Sequence, residues 1–212
     1  HVLQYYYRIQ AVASHGVPWT SNQVAKHNIH PRLQLQMPIG AGQEDLATVL
    51  NWGMTFKKHG VRCNLVILED GILFMVRAGS FIVRVPRVSA FAYELKDLSG
   101  TVIECEWLKC TSVTDTGETT VGYQLLAFDL LAWCDQSWAK VPMHKRYQHL
   151  KSAEVVRRIQ SILPCPFAIS PYRSQPNLNG LLRHITLDAA TGDYMFIGKS
   201  LSYPIDGLIF SN

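Results

Sequence analysis

The stretch Cys63-Asn64-Leu65-Val66-Ile67-Leu68-Glu69-Asp70-Gly71-Ile72-Leu73-Phe74-Met75-Val76-Arg77 decides the fold. Two strand-length apolar runs flank Asp-Gly, a strong hairpin signal because glycine accepts the backbone conformation of a tight turn. A second turn at Ala78-Gly79 leads into Phe81 to Val85, so Arg62 to Val85 reads as a β-meander. Upstream, Met54 to Phe56 reads as a strand leading into a turn that begins at Lys57, with a short helix at Asp45 to Asn51. Downstream come strands at Thr101 to Leu108 and Tyr123 to Leu131, separated by the polar turn Asp115-Thr116-Gly117-Glu118. Antiparallel pairing is the simplest topology for such a series. Leu150, Val155, Ile159 and Ile162 fall near helical spacing, predicting one helix from Lys145 to Ile162 that Pro164 and Pro166 end. Pro171 to Asn179 reads as loop, and Ile205 to Phe210 as a last strand behind Pro204. The expected class is α+β, antiparallel β-sheets flanked by helices.

Composition narrows the function less. The chain has 212 residues and 48% apolar content, enough for a sizeable core. Its 20 Lys and Arg against 16 Asp and Glu give a net charge of +4, which permits a polyanionic partner without requiring one. Cys63, Cys105, Cys110, Cys134 and Cys165 contain no CxxC pair, against a zinc ribbon or a disulfide framework and in favour of a reducing compartment. The longest apolar runs are too short and too often interrupted by charge for a membrane span, so no membrane association is expected. His1 and the stop at Ser211-Asn212 directly after an apolar strand suggest a segment of something larger, with 1–39 as an N-terminal extension.

The chemistry centres on Lys57-Lys58-His59-Gly60-Val61-Arg62. An amine held between strands can be aimed, and a lysine becomes a nucleophile once its ammonium loses a proton. Lys58, Arg62 and a bound metal can supply the positive field that favours this. Alone, such a string reads more readily as the solvated basic edge of a hairpin. His27 with His30 and His144 with His149 lack the Cys or carboxylate partners of a zinc site and read as surface histidines.

The hexapeptide resembles the KxDGxR nucleophile motif of the covalent nucleotidyltransferases, the superfamily of messenger-RNA capping guanylyltransferases and ATP-dependent DNA and RNA ligases. Further stretches are similar to that family in order. In Ile72 to Val85 the resemblance implies that Arg77 contacts the ribose; in Thr101 to Glu106, that Glu106 lies near ribose and metal. In Tyr123 to Leu131 it implies that Phe128 packs on the base with Asp129 beside it, and Ile205-Asp206-Gly207-Leu208-Ile209-Phe210 is very like the capping enzymes' DGLIF motif, whose acid helps bind the metal. The likeness spans roughly residues 40 to 210, and the ordered set is far more specific than any member.

What the resemblance implies is a nucleotidyltransferase (ATP-grasp-like) domain over 40–212, of the DNA ligase and capping-enzyme type, ending before the family's paired-lysine strand and small oligonucleotide-binding barrel. Lys57 would take GMP from GTP and pass it to the 5′-diphosphate end of an RNA. Arg62, Arg77, Glu106, Phe128 and Lys199 would bind the nucleotide, with Mg²⁺ or Mn²⁺ near Asp206 and Glu106. Partners would be the RNA end and an associated triphosphatase or methyltransferase, and the location the nucleus or a viral transcription site. Two departures shape the alternatives: His59 replaces the usual aspartate and resembles the KxHG form of some RNA ligases, and Cys105 replaces the usual glycine before Glu106. An ATP-dependent ligase is therefore one rival, and a silent cap-binding relative, as in snurportin-like proteins, another.

Overall fold

The computed structural model describes residues 52–69, 71–76, 82–86, 96–138, 140–163, 165–173, 180 and 182–211. The expected extension 1–39, the helix at 45–51, Arg77, the Ala78-Gly79 turn, His27 and His30 lie outside the described residues. Those described are mostly antiparallel β-strand with few helices and form two compact units, one of 62–105 and 129–163, the other of 52–61, 106–128 and 165–211.

The first unit carries the meander. Strands β2 (Val61–Leu68), β3 (Gly71–Val76) and β4 (Ile82–Pro86) pair antiparallel in the expected order, with Cys63 opposite Val76, Leu68 opposite Gly71 and Ile72 opposite Val85. Cys63 to Leu68 is buried at every position, which explains an apolar run instead of an alternating one. The start of β5 (Val102–Val113) lies beside β2, where the Ile67 N–H donates to the Thr101 carbonyl at 2.9 Å. Helices α1 (Met143–Leu150) and α2 (Ala153–Ile162) stand where one helix was expected. The break is local chemistry: the Ser152 hydroxyl accepts the Val155 N–H at 3.4 Å and caps a new helix start. Leu150, Val155, Ile159 and Ile162 are buried, so the apolar spacing identified the packed face while missing the interruption.

The second unit is organised by β12 (Leu201–Ser211), which extends the expected last strand upstream through Pro204. Its first part pairs with β11 (Tyr194–Ile197), itself paired with β10 (Ile185–Leu187), and with the end of β5 through Leu201 and Ser202. Its last part pairs antiparallel with β1 (Gly53–Lys58), whose other side meets β9 (Tyr172–Arg173), a strand within the expected loop at 171–179. Lys57 therefore lies inside a strand, and the turn begins at His59. Strand β6 (Thr119–Trp133) returns beside β5 after the turn in which the Thr114 N–H donates to the Glu118 carbonyl. It pairs in parallel with β8 (Phe167–Ile169), against the purely antiparallel expectation. Met54, Phe56, Leu108, Cys110, Leu126, Phe196, Tyr203 and Ile205 form this unit's core.

Candidate active site

Strand alternation on β1 sends Met54 and Phe56 into the core and leaves Lys57 half exposed. Opposite it the register slips: Lys57 faces Gly207 while Lys58 faces Ile205, so Asp206 is the extra residue of a bulge on β12. Bulges re-aim a side chain, and here the Asp206 carboxylate reaches the Lys57 ammonium, Oδ2 to Nζ, at 2.6 Å. Gly207 sits at φ +153°, a conformation side chains resist, which accounts for glycine after the acid.

The turn after β1 adds to the group. The His59 N–H donates to the Pro204 carbonyl at 3.1 Å, and His59 Nδ1 lies 3.3 Å from Asp206 Oδ1. Gly60 packs so closely on β5 that a Cβ there would come within 2.8 Å of Glu106 Cγ, Leu108 Cβ and the Trp107 carbonyl. Glu106 and Asp206 therefore both border the turn that follows Lys57, within a single unit.

The remaining expected residues divide. Phe128, half-buried on β6, has the Lys58 ammonium 4.7 Å from its ring centroid, and that ammonium, buried beneath the strand, also donates to the Phe56 carbonyl at 3.1 Å. Lys199 is exposed in the β11–β12 turn. Arg62 belongs to the first unit, where its guanidinium pairs with the fully buried carboxylate of Glu104. Arg77 lies outside the described residues. Asp129, expected beside the base, is held bidentately by Arg146 of α1 in the first unit, at 2.7 and 2.8 Å.

Three participants escaped the sequence reading: His59 as a partner of Asp206, Lys58 beneath Phe128, and Glu104 as the anchor of Arg62. Lys58 had a signal, since alternation places it on the Phe56 side of β1. The His59 contact had none, being formed across the β1–β12 pairing. Burial pushes the thiols of Cys110, Cys134 and Cys165 up, which keeps them protonated and poor nucleophiles beside an accessible amine.

Among the described residues no group of three or more His, Cys, Asp or Glu side chains is placed to hold a metal ion. Mg²⁺ is commonly held by only one or two carboxylates and completed by substrate phosphates and water, and Glu106 and Asp206 are the carboxylates that border the turn after Lys57.

No family profile matches the sequence, and no curated protein matches it. Among solved structures the chain is similar to a mycobacterial DNA ligase D complexed with ATP and MES, at TM-score 0.39 and 12% identity, over 76% of this chain and 50% of that one. It is also similar to the ligase domain of M. tuberculosis LigD, at TM-score 0.36 and 11% identity, over 76% and 49%. The chain thus spans about half the length of these structures. At such scores the likeness carries no argument about chemistry, and the functional reading rests on the residues.

Proposed function

We propose that the chain is the nucleotide-accepting part of a covalent nucleotidyltransferase with Lys57 as nucleophile. One observation carries the reading: the 2.6 Å pair between Lys57 and Asp206, 149 residues apart, which joins the two most chemically specific motifs of the sequence across one bulged strand pairing. Lys57 Nζ attacks the α-phosphorus of a nucleoside triphosphate, a phosphorus–nitrogen bond forms, and the bond to the bridging oxygen breaks, its electrons leaving with pyrophosphate. From ammonium to phosphoramidate the nitrogen sheds two protons: one passes to Asp206 Oδ2 before attack, with His59 at the other carboxylate oxygen to relay it to water, and the second leaves with pyrophosphate. A divalent ion held by Glu106 and Asp206 would neutralise charge on the phosphate oxygens. Phe128, fixed from beneath by Lys58, is the candidate base platform, with Lys199 and Arg77 as further nucleotide contacts.

For the donor we propose GTP and for the acceptor the 5′-diphosphate end of RNA, because Asp206-Gly207-Leu208-Ile209-Phe210 resembles the capping enzymes' motif. On this reading the protein would work in the nucleus or at a viral transcription site. His59 supports a second reading, an ATP-dependent ligase, since its imidazole occupies the motif position facing Asp206. Incubation with GTP or ATP, each labelled at the α-phosphate, decides between them: acid-labile label from GTP alone supports guanylyl transfer, and label from ATP alone supports the ligase. Absence of a covalent adduct from either nucleotide, tested with the longest native chain that contains this segment, removes the proposal.

A further inference from the structure

Trp107 on β5 and Tyr123 on β6 lie side by side, with ring centroids 5.8 Å apart and planes inclined by 16°. Trp107 is half-buried, while Tyr123 is 57% exposed, far more than a pair serving only to staple two strands requires. Strand alternation puts exposed Lys109 on the Trp107 side of β5 and sends Leu108 and Cys110 inward. On β6 it puts Val121, 61% exposed, on the Tyr123 side. The alternate positions on these sides, 107 to 113 and 119 to 123, hold Trp, Lys, Thr and Val and then Thr, Val and Tyr, with no carboxylate. The turn after β1 approaches this stretch of β5 from the opposite face, where a Cβ on Gly60 would meet Glu106 Cγ and Leu108 Cβ as well as the Trp107 carbonyl.

We propose that this face is a stacking platform for a single-stranded polynucleotide acceptor. The proposal rests on the nucleotidyl-transfer reading for the word acceptor, though not for the binding itself. Every base has a π-face, so adjacent open rings hold successive bases without sequence preference. Lys109 supplies positive charge for a phosphate, and the absence of carboxylates along these positions leaves a polyanion unopposed. A duplex keeps its bases stacked on each other and has none to offer to the rings.

The test uses the full chain with a fluorescently labelled single-stranded oligouridylate and a duplex of equal length, read by anisotropy and by quenching of tryptophan emission. Single-strand binding that exceeds duplex binding, weakened about tenfold by Trp107→Leu and by Tyr123→Thr, is expected, with smaller loss in Trp107→Phe. Lys109→Ala should lower the salt dependence of binding by about one phosphate contact. Tyr123 is mostly exposed, so its variant keeps the fold even where Trp107→Leu does not, and circular dichroism checks both. Equal binding by parent and Tyr123→Thr, equal affinity for duplex, or no oligonucleotide binding at all overturns the proposal. Ring-dependent binding in a chain that forms no nucleotide adduct leaves this surface standing and removes the catalytic reading.

Discussion

Two ion pairs of nearly equal length show how differently the same chemistry is used in the two units. Lys57 and Asp206 meet at 2.6 Å with side chains 50% and 36% exposed, through one nitrogen and one oxygen. Asp129 and Arg146 meet at 2.7 Å with 11% and 15% exposure, and the guanidinium grips both carboxylate oxygens while also donating to the Val141 carbonyl. An exposed single contact contributes little to stability, because water screens it and two long side chains must be ordered. A buried bidentate pair is costly to break, because the survivor is left charged and desolvated. The first arrangement suits an amine that must stay open to a substrate, and the second ties α1 to β6. Exposure, more than distance, separates the two roles.

The sharpest way to break this comparison is Lys57→Ala. It should abolish covalent nucleotide labelling outright while changing unfolding free energy by no more than about 1 kcal/mol in urea titration. A large loss of stability would mean that the exposed pair is structural after all. Asp129→Ala should behave in the opposite way, costing about 3–5 kcal/mol by stranding Arg146, and a midpoint close to the parent's would show the pair to be dispensable.

Gly207→Ala asks whether the bulge matters. A side chain is unwelcome at φ +153°, so a cost of about 1–3 kcal/mol is expected, together with a marked fall in labelling as Asp206 loses its aim. Unaltered labelling would separate the bulge from the chemistry. The smallest effect should come from His149 in the first unit, edge-on to Trp133 and tilted against Trp138, both at 4.7 Å, with its buried Nε2 lacking a hydrogen-bond partner among the described residues. Burial lowers its pKa, so the unfolded chain takes up the proton first. Stability should therefore be lost as pH falls through about 6.5 and below, and His149→Phe should flatten that part of the curve in thermal melts at several pH values.

How much was legible follows from the range of each signal. The hairpin at Glu69-Asp70-Gly71 was readable because turn residues and flanking apolar runs are adjacent in sequence, and β2 to β4 pair as expected. The apolar positions of α1 and α2 were readable for the same reason, while Ser152 needed its cap geometry to be recognised as a break. β8 joining β6 in parallel, and Arg62 turning to Glu104, depend on partners that no local pattern names.

Residue order alone marked the meander and the last strand, set Lys57 directly after one strand and Asp206 within another, and showed that both stand in stretches resembling nucleotidyltransferase motifs. Tertiary structure decided that they touch, that His59 shares the carboxylate, and that the lysine is open while Arg62 is spent on a buried acid. The reason is that side-chain periodicity is a property of one strand, whereas register belongs to two. A slip of one residue between β1 and β12 sets which way Asp206 points, and the spacing of 149 residues does not reveal that slip.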